Sequence, residues 1–434
     1  MNVLFVHNNF PAQYRHIAIA LARDPKVRVC AIGAAASRGL KSVNTVKYSL
    51  DSVDVAATHP FARRFDLESR RAEQVLYALS SLIASGFTPD VIMAHPGWGE
   101  TLPLRALFPR ARFILYCEFF YGVTNRDVGF DAEFAETGVD GHVALHAKNA
   151  ATLLALADCD AGVAPTPWQR STFPSEFQRK IHVIHEGVDV DLAKPADDAT
   201  FALASGRKLR RSDEVVTFVA RNLEPLRGYH IFMRALPRIM ALRPKAEILV
   251  VGAEGVSYGA PAPPGTTWRA KFLAEVDGKI DRKRIHFTGP LPYRDYIAAL
   301  QVSSAHIYLT YPFVLSWSLI EAMSTGCLVI GSDTEPVRDV IDGRNGILTP
   351  FFDNTALADR VVEALAHPGD FRGMRTRARQ TALDRFDLQR VCLPQMLSFV
   401  RGDEGARRAP KATSSSQSRV RVFVGAGASA PPRS

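Results

Sequence analysis

Arg221 and Arg227 stand six residues apart, behind an apolar run (215–220) and ahead of a helix-compatible one (229–242). Guanidinium groups placed in this way can converge on a diphosphate, each binding its oxygens in bidentate fashion. Farther along, Glu321 lies in the first turns of a helix-compatible segment whose start carries Ser316, Trp317 and Ser318. A helix start lined with hydroxyls and free backbone N–H groups is a natural phosphate site. A carboxylate beside it can hold the two hydroxyls of a ribose. The plainer reading is a capped helix on a sheet, with Glu321 a solvated acid that complements the helix dipole. Gly252 and the triplet Gly289-Pro290-Leu291 each follow an apolar strand, where glycine lets backbone approach a flat base. Together these residues read as a nucleoside diphosphate site.

The first half of the chain offers a different set. Ala12 and Gln13 follow its first strand, His95, Trp98 and Glu100 a later one, and Glu118 the next. Open parallel sheets bind ligands outside the carboxyl ends of their strands, so this set faces the phosphate-binding half as an acceptor side. Each member has an ordinary alternative. His95 serves equally as a satisfied turn residue, Trp98 as a plug for the sheet end, and Glu118 as the partner of a nearby arginine.

Two βα arrays are needed to position these groups. The first runs through apolar segments at 3–7, 27–33, 90–94, 112–117, 160–165 and 181–185, with helical stretches at 14–23, 61–85 and 142–157. The second starts after a polar linker near 197–212, with strands at 215–220, 246–252, 285–288, 306–309 and 327–331. Short, β-branched, wholly apolar strands are those of parallel sheets buried on both faces. The expected division is a first domain over 1–190, a nucleotide-binding domain over 191–370, helices over 371–400 packing back on the first domain, and a basic tail over 401–434.

The net charge of +9 hints at nucleic acid, yet the last 34 residues hold seven basic groups against two acids. That tail is rich in Ser, Ala, Gly and Pro, the composition of a disordered segment. No specific nucleic-acid binding is therefore expected. Five scattered cysteines without a CxxC pair read as reduced core thiols. The start, MNVLFVHNNF, reads as a buried strand rather than a secretory signal, so a cytoplasmic location is expected. Fingerprints for dinucleotides (GxGxxG), phosphate loops (GxxxxGK[ST]), zinc (HExxH) and nucleophile elbows (GxSxG) are missing. No metal and no cofactor is expected.

In this order, the residues resemble the retaining, nucleotide-sugar-dependent glycosyltransferases of family 4, of GT-B fold: two Rossmann-like doubly wound α/β domains facing a cleft. The resemblance spans roughly residues 1 to 400 and is strongest over 215–350. Arg221 and Arg227 match the basic pair that clamps the donor diphosphate. Glu321, in Leu319-Ile320-Glu321-Ala322-Met323, matches the second acid of an E-x7-E pattern, expected on the donor ribose. His185-Glu186-Gly187-Val188-Asp189 resembles the family's NGVD turn at the domain junction. Four positions depart: Phe313 replaces the first acid, Ala12 replaces a loop glycine, Cys117-Glu118 replaces a histidine, and Asp339 replaces a glutamate.

The resemblance implies sugar transfer to an acceptor hydroxyl with retention, the departing phosphate taking the acceptor proton. Arg221, Arg227, Glu118 and His95 form the implied catalytic set. Glu321, Ser316, Trp317, Ser318, Gly252, Gly289, Pro290, Leu291, Ala12 and Gln13 hold the donor, and Trp98 and Glu100 face the acceptor. The implied partners are a nucleotide sugar and a glycan or lipid-linked acceptor. A sugar-nucleotide epimerase, a phosphorylase or a silent donor-binding scaffold are the alternatives. Arg63, Arg64, Arg70 and Arg71 read as a solvated helix face, with peripheral contact at the inner face of a membrane as the other reading.

Overall fold

The computed structural model describes residues 1–52, 54–134 and 138–403. The expected basic tail lies, from residue 404 onward, outside the described residues. Seven strands form the first sheet: β1 (Asn2–Val6), β2 (Arg28–Ala34), β3 (Asn44–Tyr48), β4 (Val91–Ala94), β5 (Arg112–Tyr116), β6 (Ala161–Ala164) and β7 (Ile181–Val183). They are parallel and run in the order 3-2-1-4-5-6-7. A small antiparallel hairpin, β8 (Thr200–Ala202) with β9 (Lys208–Arg210), opens the second half. The second sheet holds β10 (Val215–Asn222), β11 (Glu247–Ala253), β12 (Ile285–Gly289), β13 (Ala305–Tyr308), β14 (Val329–Ser332) and β15 (Ile347–Thr349). It is also parallel, in the order 12-11-10-13-14-15.

The strand order reverses beside the first strand of each sheet, between β1 and β4 and between β10 and β13. Loops leaving a reversal diverge to opposite faces and leave a crevice at the carboxyl edge. Those loops begin at His7, His95, Leu223 and Leu309. They are the segments that carry most of the residues singled out from the sequence.

Five local readings change. Strand β15 was not foreseen, and the stretch near 197–212 expected as a polar linker carries the β8–β9 hairpin, with Phe201, Leu203 and Leu209 buried. Strand β3 was not foreseen, because its residues NTVKY are largely polar and only Tyr48 is buried at the sheet edge. The single helix expected over 142–157 is two, Val139–Ala147 and Ala150–Asp158. Asn149 parts them: its side chain accepts from Tyr121 N at 3.1 Å and donates to Tyr121 O at 2.9 Å, the pattern of a strand neighbour. The strand expected at 327–331 starts later, at Val329, after Gly326 has turned the chain at φ +75°. All five cysteines are free and buried.

The chain crosses between the domains and closes them on each other. Residues 119–134 leave the first sheet after Glu118 and insert aromatic side chains into the second domain's core. Phe130 meets Tyr311, Phe351 and Phe352 with ring centroids 5.0–5.2 Å apart, and Phe134 meets His230 and Trp268 at 5.0 and 5.3 Å. Not all of 371–400 packs back as expected: the helix Arg372–Phe386 stays on the second domain, with Ala378 and Ala382 in one core with Leu319 and Met323, and the chain returns only after it. Val188 bridges Asp387, and the helix Leu393–Arg401 places Met396, Phe399 and Val400 among Val3, Phe5 and Ile17 of the first domain.

Gly187 marks the point where the returning segment crosses. Its φ is +83°, and a Cβ there would lie 2.6 Å from the Leu388 Cα. A left-handed backbone costs an L-residue about 1–2 kcal/mol, and the clash is with main chain that has no rotamer to give. Gly187→Ala is therefore expected to lower unfolding stability by about 2 kcal/mol or more in urea titration. An unchanged midpoint would show that the two segments slide apart freely.

Candidate functional site

On the first-domain wall, the loop after β1 folds His7 inward. His7 Nδ1 accepts from Asn9 N at 2.9 Å, and burial, with the nearby His95, holds its imidazole well below the usual range. The ring is thus neutral. His95, after β4, accepts from Gly97 N at 3.0 Å through Nδ1, which leaves its proton on Nε2. That Nε2 lies 3.1 Å from Glu118 Oε2, and Gln13 Nε2 donates to Glu118 Oε1 at 3.0 Å. Trp98 lies over both imidazoles, 4.6 Å from His95 and 5.1 Å from His7.

Glu118 is an anchored anion. Burial pushes its carboxyl up, but the bonds from His95 and Gln13 and the charge of Arg221 outweigh that and hold it below the ordinary carboxylate value. Ala12 adopts φ +38°, a backbone region that favours glycine, which fits its place in a loop where glycine was expected. Glu100 corrects the acceptor-side assignment. It is 0% exposed and accepts from Tyr48 OH at 2.7 Å, so it fastens the loop to β3 from behind the cleft.

The second-domain wall presents two guanidiniums in different states. Arg221 is exposed and makes no hydrogen bond or ion pair among the described residues; its nearest ring is Tyr258, at 6.0 Å. Arg227 is half-buried and spends Nη1 on Thr310 Oγ1 (2.9 Å) and Val314 O (3.0 Å). Its Nε and Nη2 bond none of the described residues. Gly228, at φ +67°, then starts the helix Tyr229–Leu242, and a Cβ there would collide with Leu309.

The helix Trp317–Ser324 begins at Ser316, whose hydroxyl accepts from Ser318 N at 3.3 Å. Ser318 Oγ adds a bond to Ser316 Oγ at 2.9 Å. Trp317 is 45% exposed and donates its indole N–H to Glu186 Oε2 at 3.1 Å. Glu321 is not the solvated acid of the plainer reading. Tyr293 OH and Tyr296 OH donate to its two oxygens at 2.9 and 2.7 Å, while burial, the larger effect, raises its carboxyl above the usual value. The tyrosines sit three apart on the helix Tyr293–Gln301, a spacing that shares one helix face. That spacing was a legible signal the sequence reading missed.

Gly252 serves the fold rather than an open surface: a Cβ there would stand 2.6 Å from Ala220 O of the neighbouring strand. Gly289 lies in open space at φ +66°, followed by exposed Pro290 and half-buried Leu291. Phe313 is 3% exposed, its ring 4.9 Å from both Phe119 of the first domain and Tyr258 of the second. Asn222 and Glu224 were also missed. They hold the loop that carries Tyr258, through Gly255 N (3.0 Å), Ser257 N (3.2 Å) and Gly259 N (3.2 Å).

Two further clusters take other roles. Asp131, Glu133 and His230 bring ligand atoms within 4.8 Å of one another, but Arg234 occupies both Glu133 oxygens at 2.7 Å. Of the four helix arginines, Arg64 donates to Gly97 O at 2.5 Å and Arg71 to Trp98 O at 2.6 Å. These two brace the loop after β4 and do not form a free basic face. No helix among the described residues is long and apolar enough to cross a membrane.

The tyrosine pair allows a direct test. Tyr296→Phe strips Glu321 Oε2 of its hydroxyl in a buried setting, where an orphaned acceptor costs about 1–3 kcal/mol. Tyr293 is 45% exposed, so water can replace its hydroxyl after Tyr293→Phe. Urea unfolding is expected to show the larger loss for Tyr296→Phe; equal losses would mean that burial does not distinguish the two oxygens.

The cleft can be compared with known proteins at this point. Residues 25–193 match the model described as "Glycosyl transferase family 4 group", and residues 213–367 match "Glycosyl transferases group 1". A phosphatidyl-myo-inositol mannosyltransferase of Mycobacterium leprae is 30% identical over 225 residues, covering 51% of this chain and 52% of that protein. The chain therefore matches about half the length of this curated relative. Sucrose-phosphate synthase of Thermosynechococcus elongatus superposes with a TM-score of 0.68 at 18% identity, over 93% of this chain and 98% of that one. HepE of Anabaena, in complex with UDP and glucose, gives 0.63 at 15% identity, over 93% and 100%. Two parallel α/β domains, matched in order by both halves of the family description, identify the chain as a member of glycosyltransferase family 4, of GT-B fold.

Proposed function

We propose that the protein transfers a sugar from a nucleoside diphosphate-sugar to an acceptor hydroxyl, with retention and without a metal. The observation that carries this reading is the uncommitted charge on one wall. Arg221 is free and Arg227 keeps Nε and Nη2 uncommitted, beside a helix start. Preorganised cations of this kind stabilise charge as it builds on a leaving diphosphate. Of the backbone N–H groups at 316–318, Ser316 N is spent on Tyr308 Oη and Ser318 N on Ser316 Oγ, which leaves that of Trp317 to add to them. Glu321 uses one acceptor site per oxygen on its tyrosines and keeps lone pairs for the hydroxyls of a ribose.

Opposite them, Glu118 offers a fixed negative charge toward the carbon that becomes cationic as the diphosphate leaves. His95 holds that carboxylate through Nε2 and is not itself the base, since its Nδ1 is occupied by Gly97 N–H. The departing phosphate takes the acceptor proton. Because one relative is named for mannosyl transfer to phosphatidyl-myo-inositol, mannosyl donors and inositol-bearing acceptors are the first to try. The setting would be glycolipid or cell-surface polysaccharide synthesis on the cytoplasmic side of a membrane.

The test is a panel of UDP-, GDP- and ADP-sugars followed by nucleotide release. Release that requires an acceptor supports transfer. A new sugar nucleotide formed without acceptor would make the protein an epimerase, and binding without turnover a scaffold. With the donor so found, Arg227→Ala is expected to lower kcat/KM by about 10²- to 10³-fold, the scale of losing one charge-stabilising donor. Unchanged kinetics would remove Arg227 from the site.

A further inference from the structure

Glu186 stands in the turn after β7, where the family's NGVD turn has asparagine. Its side chain is only 6% exposed. Oε2 accepts the Trp317 indole N–H from the second domain at 3.1 Å, while Oε1 has no hydrogen-bond partner among the described residues. Behind it lies a cavity of about 20 Å³ at the seam between the segment 13–17 and the returning helix Leu393–Arg401, whose walls include Glu186, Gln13, Tyr14, His16 and Met396. Gln13 Oε1 and Tyr14 OH, both buried, likewise make no hydrogen bond among the described residues, although the Gln13 side chain also stands close enough to the His7 imidazole to raise it. The cavity has room for one buried water, about 10–15 Å³, and three of its lining residues each carry an unpaired polar atom that such a water could serve. The donor count also balances. Such a water accepts from Tyr14 OH and donates to Gln13 Oε1 and Glu186 Oε1. Gln13 donates in turn to Glu118, which faces His95.

We propose that Glu186 is a positioning residue of the cleft: it holds Trp317 directly and, through a buried water, Gln13 and Tyr14. One network then runs from the start of the helix Trp317–Ser324 to the Glu118–His95 pair. Its bearing on sugar transfer rests on the function proposed above; the network itself does not.

Among the described residues no cation offsets the burial of Glu186. His185 Nε2 lies 3.8 Å away, but burial first, and the charge of Arg385 second, push that imidazole down to about 4. Burial, with Arg15 behind it, also lowers His16. Tyr14 is raised well above its ordinary value, and Cys392 is raised to about 12, so neither contributes charge near neutrality. Burial alone therefore lifts Glu186 to about 7, against the weaker pull of its own backbone N–H and Trp317. An acid whose pKa rises on folding costs stability as pH increases from its unfolded value, about 4.3, and the cost levels off above the folded one.

The measurement is Trp317 fluorescence, taken as the difference between the native protein and Trp317→Phe, titrated from pH 5 to 9. A step near pH 7 is expected, absent in E186Q, which keeps the shape of the side chain without its titration. Tyr14→Phe removes a donor to the water and is expected to move the step upward in pH. The thermal midpoint of E186Q should gain on the native protein as pH rises through the same window. A step that survives in E186Q, or no step at all, overturns the proposal; an unmoved step in Tyr14→Phe overturns the water link. These readouts need no nucleotide, so they stand even if the donor panel is silent. With an active donor, E186A is expected to raise KM about tenfold and kcat to change less. The reverse split would place Glu186 on the reacting atoms and overturn a positioning role.

Discussion

A carboxylate buried between the domains holds the molecule in its working shape. Asp131, from the first domain, accepts from Tyr311 OH at 2.8 Å and lies 3.0 Å from His230 Nε2, both in the second domain. Burial pushes this carboxyl up, yet His230, Tyr311 and the Glu133 backbone N–H hold it below the ordinary value. The carboxylate is bonded from both domains, by Glu133 N at 3.0 Å and Tyr311 OH, and leaving a buried acceptor without its partner costs about 1–3 kcal/mol or more. Phe130 and Phe134 flank it and bury their rings against the second core. The segment that bears Asp131 begins directly after Glu118. Fixing one end on the second domain therefore fixes how far the anchored carboxylate stands from Arg221 and Arg227.

From that constraint follows the electrical character of the cleft. The first wall is made of a neutral His7, a histidine whose ring nitrogens are both engaged, and one anion held by two donors. The second wall carries guanidiniums with hydrogens to spare. Opposed charge acts more strongly the less water lies between the groups, and here Arg227 and Glu118 are partly withdrawn from solvent while Arg221 is exposed. The cation wall is set by the fold and not by solvent: Arg227 is held by Thr310 and Val314 from the loop after β13, while it leaves the loop after β10. Both loops diverge from the strand reversal, so the topology and the charge pattern have one origin.

Much of this was legible in the chain. Strands such as Val3–Val6 are apolar at every residue because both sheet faces are covered, and that signal survives without any knowledge of partners. Arg221, Arg227, Glu321 and the 316–318 start could be singled out because strand, loop and helix follow one another closely in sequence. What escaped depends on pairs far apart. Phe130 and Phe134 look like scattered loop aromatics until the second domain supplies His230, Trp268 and Phe351. Glu100 and Glu118 look alike as acids after strands; only the Tyr48 contact sends one behind the sheet. Arg64 and Arg71 read as a solvated stripe because their acceptors, Gly97 O and Trp98 O, are backbone atoms with no signature.

Phe313 is the departure that the structure makes intelligible. An acid at this position would stand beside Arg227, whose guanidinium carbon lies 5.9 Å from the Phe313 ring centroid. A carboxylate that close competes for a guanidinium, whereas a ring face attracts it weakly and leaves its hydrogens unspent. Phe313 also gives Phe119 and Tyr258 a surface to pack on, so the two domains touch through rings where the family pattern has a polar group. Asn222 and Glu224 spend their side chains holding the loop that presents Tyr258, which would be wasted if that ring were incidental. On the proposed function, the sugar end of the cleft is therefore shaped by aromatic faces, and the charge that remains for chemistry is concentrated in Glu118 on one side and the two arginines on the other.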